Sequence, residues 1–232
     1  MNKDNFYYGY NRDKARLGNR RTMERSTILE TLGKQSQIDN LLATIEACHR
    51  GSGNCAITIS EQAKDFRRII EKRAKENGVW IDNYSPLITG KLIGKGGESE
   101  VYLSKDGRKA IKITHLTYFA NSEDLIYKVS VHNLLFPEVR YGIIGFGLNS
   151  ENNVSVVLEQ PYIIVNKRAT QNQVDNYMES IGFEKKDWGV FENKLFRISD
   201  TLIKDDNDNV LLDREGNLCF IDVFIIPVKA LF

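Results

Sequence analysis

Residues 205–222 read DDNDNVLLDREGNLCFID. Val210, Leu211 and Leu212 make a short apolar strand, and Leu218 to Ile221 make its return. Asp213-Arg214-Glu215-Gly216-Asn217 supplies turn residues between them, with Gly216 free to take a positive φ. The segment reads as a tight β-hairpin. Asn209 enters it and Asp222 leaves it, so strand pairing is expected to set an amide oxygen beside a carboxylate. Such a hard, oxygen-only pair suits Mg²⁺, which takes one or two carboxylates plus phosphate oxygens in place of a full protein cage. A calcium loop is excluded. Asp205, Asn207 and Asn209 mimic its first three ligands, but Val210 stands where that loop needs glycine and Gly216 where it needs a bidentate glutamate.

A second informative stretch lies upstream. Residues 92–103, LIGKGGESEVYL, read strand, glycine-rich turn, strand. Gly94, Gly96 and Gly97 would let backbone N–H groups approach a polyphosphate closely. After the turn at Lys105-Asp106-Gly107-Arg108 comes a third strand, Lys109 to Ile113. Lys112 sits inside it among apolar neighbours, where a lysine is costly unless it faces a cleft or an anion. The expected arrangement is a loop covering phosphates and a lysine reaching them from the next strand. Asn121 or Ser122 caps a helix expected over 122–135. Two strands, 141–148 and 153–159, follow, broken by Gln160-Pro161-Tyr162. The backbone around Glu159 is placed to serve an adenine edge. A second helix over 170–181 and a short strand at 194–199 lead back to the hairpin.

The N-terminal third differs in kind. Residues 1–22 carry Lys3, Arg12, Lys14, Arg16, Arg20 and Arg21 with Phe6, Tyr7, Tyr8 and Tyr10. Basic residues mixed with aromatics suit single-stranded nucleic acid, although such arms more often pack on their own domain or stay disordered. Helical spacing runs over about 23–48. It recurs over about 61–77, where Phe66, Ile69, Ile70 and Arg73 line one face. Cys48, His49 and Cys55 have no second pair at zinc-site spacing.

The whole chain has 232 residues and a formal net charge of +1, which offers no strong field to nucleic acid or membrane. No apolar run approaches the roughly 20 residues of a membrane span. The N-terminus lacks the apolar core of a signal peptide. Three cysteines, an odd and sparse count, fit a reducing compartment. A cytoplasmic protein without membrane contact is expected.

Taken in order, these parts resemble the protein-kinase fold. Gly94-x-Gly96-x-x-Ser99-x-Val101 resembles its glycine-rich loop, with Ser99 for the third glycine. Ala110-Ile111-Lys112 resembles its lysine strand, Asn209-Val210-Leu211-Leu212 its metal-binding asparagine, and Phe220-Ile221-Asp222 the strand to its metal-binding aspartate. Asn77-Gly78-Val79-Trp80-Ile81, His132-Asn133-x-Leu135-Phe136-Pro137, Gly145-Phe146-Gly147 and Glu159-Gln160-Pro161-Tyr162 narrow the likeness. Over about 72–232 the chain resembles the kinase-like domains of bacterial polyvalent proteins, carried by phages and conjugative elements. The resemblance implies ATP and Mg²⁺ as cofactors. It implies nucleotide contacts from Gly94, Gly96, Gly97, Val101, Lys112 and Glu159, and metal contacts from Asn209 and Asp222.

The departures are specific. The kinase base lies five positions before the asparagine, and Lys204 stands there. Asp200, ending its strand, fits after a four-residue insertion, and Asp205 fits after a one-residue deletion. Asp200 is favoured, because the strand would deliver it to the cleft. Val223-Phe224 replaces Phe-Gly after Asp222. No mid-helix glutamate is available to Lys112 between Glu123 and His132, and His132 reads as a structural hydrogen-bonding residue. Ten residues after Asp222 cannot build a full second lobe.

The expected architecture is therefore α+β. It comprises an arm at 1–22, a helical extension at 23–85, an antiparallel-sheet lobe at 86–160, and a reduced second lobe at 161–232. The expected function is ATP/Mg-dependent phosphotransfer to an unknown protein or small molecule. A pseudokinase that binds nucleotide or protein without turnover is the alternative. An accessory protein that holds nucleic acid through 1–22 stands third.

Overall fold

The computed structural model describes residues 59–119, 122–165, 167–203 and 209–228. The arm at 1–22, the helix expected over 23–48, the Cys48/His49/Cys55 group, Lys204 and Asp205 lie outside them. The described residues fall into two compact units. The larger holds those in 59–168 and 211–221, the smaller those in 169–210 and 222–228. No described helix is long and apolar enough to cross a membrane.

The larger unit is built on six strands: β1 (Trp80–Ile81), β2 (Ile88–Lys95), β3 (Ser99–Ser104), β4 (Lys109–His115), β5 (Gly142–Leu148) and β6 (Val154–Pro161). Their order is β1-β5-β6-β4-β3-β2. β1 runs parallel to β5, and the other neighbours are antiparallel. Two helices, α1 (Ile59–Glu76) and α2 (Ser122–Leu135), pack on the sheet. Phe66, Ile70 and Ala74 recur every four residues on α1 and join Leu125, Ile126 and Val129 of α2 against Phe146, Val156 and Leu158. A second cluster covers the opposite face, with Ile111, Ile113 and Val157 under Tyr84, Ile88 and Tyr102. The middle of β6 is thus buried on both faces, which is why Val156-Val157-Leu158 reads as an apolar run.

Glycines let β1 lie close to β5. A Cβ at Gly145 would stand 2.6 Å from the Val79 carbonyl oxygen, and one at Gly147 would stand 2.6 Å from that of Ile81. The paired strands β10 (Val210–Leu212) and β11 (Leu218–Phe220) form the expected hairpin. Its turn is held by the Asp213 carboxylate, which accepts from the N–H groups of Glu215 (2.9 Å) and Asn217 (2.8 Å), and by Gly216 at φ 90°.

In the smaller unit, α3 (Gln171–Ser180) starts at a capping box between Thr170 and Gln173. Four strands follow: β7 (Glu184–Asp187), β8 (Val190–Glu192), β9 (Phe196–Ser199) and β12 (Phe224–Pro227), in the order β12-β9-β8-β7. Phe191, Ile198 and Ile225 stand in one cross-strand row and are all buried.

Several expectations need correction. Ala74 takes the place in the apolar stripe of α1 that was assigned to Arg73, which is exposed and pairs with Glu76 at 2.9 Å. β6 does not break at Gln160; it pairs with β4 through Pro161, its last residue, where a missing N–H costs nothing further along. Residues 211–221 belong to the larger unit, where Phe220 stacks on Phe136 just after α2 (ring centroids 4.4 Å apart).

Candidate functional site

Antiparallel partners point to the same side of a sheet. Val101, Lys112, Leu158 and Ile143 are partners in one such row across β3, β4, β6 and β5. Leu103, Ala110 and Gln160 form the next row on that side. This is the side carrying α1 and α2, since Ile143 and Leu158 pack with them. Lys112 is only 8% exposed. Its ammonium lies 5.7 Å from the centre of the Tyr141 ring, whose π face partly offsets the cost of burying the charge. The one described buried carboxylate of α2, Asp124, faces Lys128 of the same helix at 3.5 Å.

Beside Val101 lies the glycine turn joining β2 to β3. Gly96 N–H donates to the Ser99 carbonyl (2.9 Å), and the Tyr118 hydroxyl donates to the Gly97 carbonyl (2.8 Å). Ser99, standing for a third glycine, is buried and shares a hydrogen bond with Thr114 (2.9 Å). Neither Gly94, Gly96 nor Gly97 takes a positive φ, and a Cβ at Gly96 would meet nothing within 4 Å. The fold itself therefore does not require glycine at 96. Behind the turn, the nearly buried Glu100 accepts hydrogen bonds from Lys95 (3.2 Å), Tyr102 (3.1 Å) and the Ser150 hydroxyl. Burial works to raise the pKa of Glu100, but the bonds from Ser150, Lys95 and Tyr102 outweigh it and hold the carboxyl below its ordinary value. One carboxylate thereby ties the glycine turn to the β5–β6 turn.

The strand leading to Asp222 is gripped at two consecutive carbonyls. His132 Nε2–H of α2 donates to the Phe220 carbonyl (2.9 Å), and the Tyr141 hydroxyl donates to the Ile221 carbonyl. Tyr141 is itself fixed. Asn133 Nδ2 donates to its carbonyl and its N–H donates to Asn133 Oδ1, both at 2.7 Å. The His132 ring packs 4.4 Å from the Tyr141 ring. Reading His132 as a hydrogen-bonding residue agrees with this placement. Tyr141 carries no sequence signal for this contact, because only the fold brings it to a residue eighty positions away.

Asp200, Asn209 and Asp222 belong to the smaller unit, and Lys112, the glycines, Val101 and Glu159 to the larger. Within the smaller unit β9 and β12 are antiparallel, and Ser199 is the partner of Phe224. Asp200 and Asp222 thus stand one and two residues beyond the last pair, at the same end of that ladder. Asp200 has φ 61°, a left-handed conformation uncommon for a residue with a side chain. Such strain persists where surrounding structure enforces it, and it gathers at functional sites. The Glu159 side chain points to the face opposite Lys112 and pairs with Lys109 at 2.6 Å. Only its backbone remains for a ligand on the Lys112 side.

Residues 62–227 match the family of serine/threonine/tyrosine kinases found in polyvalent proteins, which is more than half of the chain. The chain belongs to that family. No curated protein matches it. The described residues of this member include a buried strand lysine, Lys112, and a glycine turn beside the neighbouring strand. The family's mixed α/β character is met by three described helices and a sheet-rich unit.

Proposed function

We propose that the chain is an ATP- and Mg²⁺-dependent phosphotransferase of a bacterial mobile element. The observation that carries this reading is Lys112, a residue 8% exposed on the helix-bearing side of a sheet, in the row begun by Val101 beside a glycine turn. Lys112 would bind and orient the α- and β-phosphates. Gly94, Gly96 and Gly97 would lie over them without a side chain in the way. Asp200, at its strand end, would accept the proton of a substrate hydroxyl, and its distorted backbone would hold the carboxylate in place for that task.

Asn209 and Asp222 are the residues that would hold Mg²⁺. Their amide and carboxylate oxygens fit a hard cation that also takes phosphate oxygens. Among the described residues no group of three or more His, Cys, Asp or Glu could hold a metal on its own, so the phosphates would complete the set. The ion supplies neutralisation of charge on the transferred phosphoryl group. His132 and Tyr141 hold the chain just before Asp222.

The pseudokinase reading is kept alive by Lys204, which stands five positions before Asn209. A thermal-shift titration with ATP, with and without Mg²⁺, on the wild type, Lys112→Ala and Asp222→Asn tests the nucleotide site. Ligand that binds only the folded state raises its apparent stability by mass action. A Mg²⁺-dependent shift lost in both variants supports the proposal, and no shift at millimolar ATP ends it. Transfer of labelled γ-phosphate then separates turnover from binding alone.

A further inference from the structure

Gln160 is 6% exposed, on the Lys112 side of the sheet, and its carboxamide makes no hydrogen bond to any described residue. It lines a recess of ≈ 290 Å³ whose walls include Tyr141 and Arg140 and also Lys109 and Glu159 of the other face. Its carboxamide, open to this recess and unpaired among the described residues, is placed to meet a ligand with matching polar atoms. The backbone beside it cannot do the same work. Pro161 has no N–H, and the Tyr162 N–H already donates to the Arg108 carbonyl (2.8 Å). At those two positions the strand offers acceptors but no free donor.

Along β4 the partner of Gln160 is Ala110, and Lys112 lies two residues further on the same side. That is about 7 Å at the usual rise of an antiparallel strand, a span that a ribose bridges between a base and its phosphates.

We infer that the Gln160 carboxamide reads the purine edge of the nucleotide, and that it accepts adenine and guanine alike. The inference rests on the nucleotide reading above. Adenine presents an acceptor at N1 and a donor at its 6-amino group; guanine presents a donor at N1–H and an acceptor at O6. One carboxamide satisfies either pair, because turning it over exchanges Oε1 and Nε2. In a site built for one base, a neighbouring group would fix that orientation. No described side chain does so here. A carboxylate at this position would have acceptors only, and would match guanine's N1–H and 2-amino donors while leaving adenine N1 without a partner.

Isothermal titration of the full chain with the Mg²⁺ complexes of ATP, GTP and tripolyphosphate tests this. The proteins are the wild type, Gln160→Glu and Gln160→Leu, each first checked for a cooperative unliganded melt. The wild type is expected to bind ATP and GTP with similar affinity and tripolyphosphate more weakly. Gln160→Glu is expected to shift the ATP:GTP affinity ratio towards GTP by roughly tenfold or more, the size of one two-pronged base contact. Gln160→Leu is expected to bring both nucleotides down towards tripolyphosphate. A wild type that already prefers one purine tenfold, or a ratio unchanged in Gln160→Glu, overturns the inference while leaving the nucleotide site standing. Equal binding of tripolyphosphate and ATP also overturns it and keeps only the phosphate contacts. No binding of any of the three defeats the nucleotide reading itself, and this inference with it.

Discussion

The ammonium of Lys112 lies 5.7 Å from the centre of the Tyr141 ring, and the hydroxyl of that ring grips the carbonyl of Ile221, the residue before Asp222. One side chain thus touches both the buried lysine of β4 and the residue that precedes Asp222. Tyr141→Phe removes the hydroxyl and keeps the ring. A lost hydrogen bond of this kind costs about 1 kcal/mol, somewhat more if the carbonyl stays buried and unpaired. The variant should still bind ATP but need more Mg²⁺ to reach the same thermal shift. Identical Mg²⁺ titrations for variant and wild type would reduce Tyr141 to a packing role.

Asp200 offers a separation of fold from function. Glycine adopts φ 61° freely, and asparagine tolerates it well. Asp200→Gly and Asp200→Asn should therefore melt at or slightly above the wild-type temperature while losing phosphate transfer. Substantial turnover in Asp200→Asn would take the base role away from this residue.

Two glycines should respond in opposite ways. Gly96→Val meets open space and should change stability by less than about 0.5 kcal/mol, as surface substitutions usually do, yet abolish the ATP-induced shift. Gly147→Ala places a methyl group 2.6 Å from the Ile81 carbonyl oxygen and should cost about 1–3 kcal/mol, the range for overpacked cores. A destabilised Gly96→Val with normal ATP binding would mean that the turn needs its glycine for folding.

Glu100 gives a pH dependence. A carboxyl with a depressed folded pKa contributes stability in full above its unfolded pKa, near 4.5, and loses it as pH falls through the folded value. The melting temperature of the wild type should exceed that of Glu100→Gln at neutral pH. The gap should narrow steadily below 4.5. A gap that stays constant on acidification would show that Ser150, Lys95 and Tyr102 hold the amide as well as the carboxylate.

The sequence made local features plain. α2 occupies Ser122–Leu135 as its cap and spacing predict, and the hairpin turns on Asp213 and Gly216. Strand alternation also places Ala110 and Lys112 on one side. Elements without an apolar signal were hidden: β7 is Glu-Lys-Lys-Asp, fully exposed, and β1 has only two residues. β12 lies in the residues after Asp222, for which no strand was expected. Contacts between distant segments were hidden too. Nothing near Tyr141 in sequence announces Ile221, and nothing near Gln160 announces that the Tyr162 N–H is given to the Arg108 carbonyl. The strain at Asp200 depends on how β9 ends, which composition does not reveal.

The return of residues 211–221 to the larger unit has a consequence for how the chain is made. His132 leaves the ribosome 88 residues before the Phe220 carbonyl that it binds. During that interval α2 has no hairpin to hold, and Phe136 has no ring to stack against. The larger unit must wait, incomplete, while the strands of its neighbour are being synthesised. A chain stalled at Arg168 would expose this apolar seam to any holdase at hand, and the last turn of α2 is where nascent-chain crosslinking should find it bound.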